Sequence, residues 1–79
     1  MIIYLNWNMS QDLRKILATN VKLLRGSAGL KREKLALLLE FDNSYISKLE
    51  KSKVNITIDK IEKIAKFFKV NVIDLFSSK

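Results

Sequence analysis

Seventy-nine residues suffice for one domain with a modest core, and the lack of Cys and His excludes disulfides, thiolate metal sites and ordinary zinc centres. Fifteen Lys/Arg against eight Asp/Glu give a net charge of +7, which points to a polyanionic partner, most often nucleic acid. No stretch is long and apolar enough to span a bilayer, and no basic start or small-residue cleavage site marks a secretory signal, so a cytoplasmic location away from membranes is expected.

In chain order, residues 1–9 form an apolar N-terminal arm (Ile2, Ile3, Tyr4, Leu5, Trp7) ahead of a single domain at 10–79. The arm packs on the domain, pairs with a second subunit or is disordered; Met9-Ser10 is an alternative start, which would make it dispensable. The first helix is expected over about Gln11–Ala28, with Ser10 as its cap, Asp12 in the positive first turn and Leu13, Ile16, Leu17, Val21 and Leu24 on one face. Gly26 weakens it and Gly29 is its natural left-handed terminator. A short second helix, Arg32–Leu39, turns Leu35, Ala36 and Leu39 inward, and Leu38 suggests deep packing. The turn Glu40-Phe41-Asp42 follows, and Asp42 caps a third helix over Asn43–Lys51 with Ile46 and Leu49 facing the core. Thr57 caps a fourth, Ile58–Phe68, with the stripe Ile58, Ile61, Ile64, Ala65 and Phe68; Lys60, Lys63, Lys66 and Lys69 lie outside it and read as a solvated face. Asn71 and Asp74 have capping-box spacing and open a last short helix, Val72–Phe76. The fold class is therefore all-α, five helices joined by short turns.

Arg32–Glu50 carries the functional signal. A helix-turn-helix needs a small residue where its two helices cross, and Ala36 is there. It needs a tight turn, supplied by Glu40-Phe41-Asp42, and a second helix anchored on one side and short and polar on the other. Ile46 and Leu49 are the anchors; Asn43, Ser44, Ser47 and Lys48 form the polar side. Such a helix fits the major groove of double-stranded DNA.

Over Leu17–Phe76 the sequence resembles the Xre/Cro family of regulators, with its lambda-repressor-like fold. The resemblance rests on Val21-Lys-Leu-Leu-Arg25, Gly29-Leu30, Glu33-Lys-Leu-Ala36, Tyr45-Ile-Ser-Lys-Leu-Glu50, Ile61-Glu-Lys-Ile-Ala-Lys66 and Val72-Ile-Asp-Leu-Phe76. Within the family, the short length and the run Asn43-Ser-Tyr-Ile-Ser47 are similar to controller proteins of restriction–modification systems. The sequence departs from the family at Arg32, usually Gln; at Lys31, where Ser or Thr would cap; at Glu40, often Gly; and at Ile56, frequently Pro.

The resemblance implies a sequence-specific transcriptional regulator, with Asn43, Ser44, Ser47 and Lys48 at base edges and an Arg25–Glu50 bridge tying the first helix to the third. Lys31, Arg32, Lys51 and Lys53, at the ends of the helix pair, are phosphate contacts by position. Tyr45 either packs or touches a phosphate or a thymine methyl. A homodimer is expected, because Ile56, Ile58, Phe67, Val70, Val72, Ile73, Leu75 and Phe76 exceed what one small core absorbs; Phe67 is the first candidate for the interface. The alternative function is an antitoxin-type interaction module that also binds DNA. No Ser/His pair, Gly-rich phosphate loop or carboxylate cluster supports catalysis, so no enzyme activity, cofactor, metal or small-molecule ligand is expected.

Overall fold

The computed structural model describes the backbone of residues 3–78 and the side chains of residues 13–78. Its helices are α1 (Ile3–Ser27), α2 (Arg32–Leu39), α3 (Tyr45–Glu50), α4 (Ile58–Phe68) and α5 (Val72–Leu75). α1 starts well before the expected Gln11, so Ser10 lies inside the helix and is not its cap. No Pro or Gly precedes Gly26, and nothing in that stretch compels the helix to break. The roles considered for the side chain of Trp7 lie outside the described residues.

α1 to α4 stop in one way. A backbone N–H two or three places past each helix reaches back five residues: Leu30 to Arg25, Phe41 to Ala36, Lys53 to Lys48 and Val70 to Ala65, at 2.8–3.1 Å. This closure needs a left-handed residue just before that N–H. Gly29 (φ 69°) supplies it once; Glu40 (62°), Ser52 (60°) and Lys69 (58°) supply it elsewhere despite their β-carbons. Each of those three carries roughly 1–2 kcal/mol of strain.

Every helix contributes to one core. Leu17 and Val21 meet Leu35, Ala36 and Leu39 of α2, Ile46 and Leu49 of α3, Ile64 and Ala65 of α4 and Leu75 of α5, all buried. Leu24, Ile61, Phe68 and Phe76 pack around them. Three residues expected on the apolar faces of their helices are exposed, the first being Leu13, 39% exposed one turn before the buried Leu17. Leu38 is 45% exposed, because α3 and α4 cover only the Leu35/Ala36/Leu39 side of α2 and each residue turns about 100° further round. Ile58 is 73% exposed, since it opens α4 one turn before Ile61, beyond the edge of the core.

Polar contacts fix the ends. Thr57 Oγ1 accepts from Lys60 N at 3.2 Å, capping α4, and the Asp74 carboxylate accepts from Asn71 N at 3.1 Å at the head of α5. The side-chain amide of Asn20 on α1 donates to the carbonyls of Leu75 (2.8 Å) and Ser77 (3.1 Å), tying the end of the chain to α1.

Candidate nucleic-acid interface

Helix α3 is shorter than its pattern suggests. The Asp42 carboxylate accepts from Ser44 N at 3.3 Å and from Ser44 Oγ at 2.9 Å, which holds Asn43 and Ser44 in a turn, and the helix proper begins at Tyr45. These bonds from Ser44 keep the Asp42 carboxyl below the usual carboxylate range. They also commit the Ser44 hydroxyl proton, leaving the oxygen's lone pairs to accept from a partner.

Ile46 and Leu49 are buried, so the opposite side of the segment faces outward. Asn43, Ser44 and Lys48 are exposed there, and Ser47 is half-buried beside them. Lys51 and Lys53, also exposed, follow the end of α3. Lys31 precedes α2 in extended conformation and makes no side-chain cap, as expected of a residue without an acceptor. Arg32 is half-exposed at the start of α2, its Nη1 3.9 Å from Glu50 Oε1. Arg32 at the start of α2 thus lies beside the end of α3 that Lys51 and Lys53 follow, while Asn43 and Ser44 open the segment at its other end.

Tyr45 packs against the core. Its ring meets Phe41 edge to face at 5.1 Å, and its hydroxyl is enclosed without a hydrogen-bond partner among the described residues. Burial pushes the phenol's pKa up.

A clamp sets the angle of α3. Arg25 Nε and Nη2 donate to the two oxygens of Glu50 at 2.6 and 3.1 Å, and Arg25 Nη1 donates to the Leu30 carbonyl at 2.7 Å. One guanidinium thus joins α1, the α1–α2 turn and the last residue of α3. The bond to Glu50 outweighs desolvation and raises the Arg25 pKa further. Sequence reasoning missed the Asn20 clamp, because its partners are backbone carbonyls that no residue type announces.

A family model described as "Helix-turn-helix" matches residues 21–75, from the last two turns of α1 to the end of α5. The chain belongs to this helix-turn-helix family. A hypothetical transcription factor of Neisseria meningitidis serogroup B is 42% identical over 55 residues, which are 70% of this chain and 52% of that protein, so the match spans about half of the Neisseria protein's length. The control protein C.BamHI of Bacillus amyloliquefaciens is 34% identical over 68 residues, 85% of this chain and 84% of its own. The crystal structure of the hypothetical transcription factor NHTF from Neisseria superposes with a TM-score of 0.80 at 37% identity, covering 85% of this chain and 77% of that one. The helix-turn-helix here is α2, the Glu40–Asp42 turn and the Asn43–Glu50 segment, within an Xre/Cro-like, DNA-binding transcription-regulator domain. Among the described residues no helix is long and apolar enough to cross a membrane.

Proposed function

We propose that the chain is a sequence-specific regulator that binds a two-fold operator as a homodimer and controls a restriction–modification operon. The observation that carries this reading is the outward side of the α3 segment: Asn43, Ser44, Ser47 and Lys48 stand over the buried anchors Ile46 and Leu49. Asn43 can pair with an adenine edge through two bonds. Ser44 accepts from an exocyclic amine, Ser47 is short enough to admit a base, and Lys48 reaches a guanine edge. Lys31, Arg32, Lys51 and Lys53 hold the flanking phosphates and fix the register of the helix.

Dimerisation is supported by apolar side chains left on α4 and α5. Ile58, Phe67, Val72 and Ile73 remain exposed, and Phe67 keeps its place as a candidate interface residue. Leu75 leaves the earlier interface set because it is fully buried, and Ile56, Val70 and Phe76 pack against the monomer core. The operon assignment is supported by the likeness to a control protein along most of both chains and by the Asn43–Ser47 run.

Selection of bound duplexes from a random pool tests the proposal. The expected consensus has two inverted half-sites about 10 base pairs apart, centre to centre, or a multiple of that spacing. A pool that enriches no sequence, or only a single asymmetric site, contradicts it.

A further inference from the structure

Spacing alone makes Lys60, Lys63, Lys66 and Lys69 a single solvated face of α4. The structure separates Lys60 from the other three, which are exposed while it is partly covered. Its ammonium lies 4.4 Å from the centre of the Tyr45 ring and 5.5 Å from that of Phe41. Its backbone N–H is held by the Thr57 cap. Among the described residues no carboxylate lies within 4.0 Å of it, and the nearby Glu40 carboxylate pairs instead with Lys63 at 3.5 Å. Two rings therefore hold a cation in place without neutralising it.

That cation has a defined position relative to α3. Tyr45 is the first residue of the helix, and at about 100° per residue Lys48 stands one turn along the same flank. The ammonium on Tyr45 thus lines the side of the recognition segment next to its first turn. A helix is about 10–12 Å across and the major groove about 12 Å wide, so phosphate strands run close along both flanks of an inserted helix. Whatever charge lines a flank meets them. On the opposite side of α3, Glu50 is spent on Arg25.

We infer that Lys60 is a further DNA contact, binding a phosphate of the strand that passes the Tyr45 flank of α3. The inference rests on the DNA-binding reading above. Prior immobilisation on the rings reduces the side-chain entropy lost on binding, which distinguishes Lys60 from a freely solvated lysine such as Lys66.

The test is the salt dependence of affinity for a random-sequence duplex and for the selected operator, measured by fluorescence anisotropy. Lys60→Met keeps the stem over the rings and removes the charge; Lys60→Gln is a second variant, and circular dichroism establishes that each is folded. The slope of log affinity against log salt should flatten by about 0.9 per protomer, equally on both duplexes. Lys60→Arg should restore the slope, and Lys66→Met should leave it unchanged. Folded Lys60 variants with the wild-type slope overturn the inference, and so does weaker binding at an unchanged slope, which makes Lys60 a packing residue. A wild-type protein whose duplex binding ignores salt refutes the underlying DNA-binding reading instead.

Discussion

Removing one partner of the Arg25–Glu50 clamp should cost more than its contacts suggest, and removing both should cost less than the two single losses together. Glu50 is 5% exposed and Arg25 14%, and they share two bonds at 2.6 and 3.1 Å. Breaking such a pair on one side leaves a charge with neither water nor a counterion, at about 3–5 kcal/mol for a fully buried pair. Partial exposure lets the survivor rehydrate, which places these losses at the lower end: about 3 kcal/mol for Glu50→Leu, and slightly less for Arg25→Met, since Arg32 remains 3.9 Å from Glu50. The double variant replaces both charges with apolar side chains of similar reach. Its loss should fall short of the sum by about 1–3 kcal/mol. A domain of this size has a total stability of roughly 4–12 kcal/mol, so the single variants lose a large fraction of it. Urea unfolding followed by far-ultraviolet circular dichroism measures all four corners of the cycle. Additive losses would refute the clamp, because two independent surface charges give no coupling.

Three further outcomes follow from the structure. Lys69→Gly should stabilise the domain by about 0.5–1 kcal/mol, since relief of left-handed strain exceeds the extra freedom of glycine in the unfolded chain; Lys69→Ala keeps the strain and should give no gain in the same urea assay. Asp42 has a lower carboxyl pKa folded than unfolded, so its contribution is present above the ordinary carboxylate pKa and is lost as pH falls below about 4; Asp42→Asn should flatten the acid limb of a stability–pH profile. Ile73→Asp, at a side chain 76% exposed, should leave the helicity of the fold intact and shift sedimentation from dimer to monomer at micromolar concentration; a wild-type monomer at hundreds of micromolar would contradict the proposed dimer.

The sequence was most legible where a local signal and the hydrophobic period coincide. Thr57 before an apolar stripe marks the start of α4, and α2 runs between Lys31 and Glu40 as its pattern indicates. The left-handed residue at Glu40 is legible only through the resemblance, since the family often has Gly at that place. Ser52 and Lys69 adopt the same conformation unannounced, because the closure of α3 and α4 imposes it on whichever residue falls there. The start of α3 was misplaced because Asp42 can cap a helix or hold a turn, and its two bonds to Ser44 select the turn. Leu38 misled because burial on a two-turn helix depends on which neighbours cover it, information that lies outside the helix. The contact of Lys60 with Tyr45 escaped for a similar reason: helical spacing shows that a lysine is off the core stripe, and only the packing of α4 against the α2–α3 turn shows what it lies against.

The central claim is that the outward side of the α3 segment reads base edges, and Asn43→Ala tests it most directly. Anisotropy titrations of wild type and variant against the selected operator and a random duplex, at one salt concentration, separate reading from positioning. The variant should lose about 1–3 kcal/mol on the operator and little on random DNA, with preference relaxed at one base pair per half-site and helicity unchanged. Equal weakening on both duplexes would make Asn43 a positioning residue and contradict the assignment of this face as the one that reads sequence.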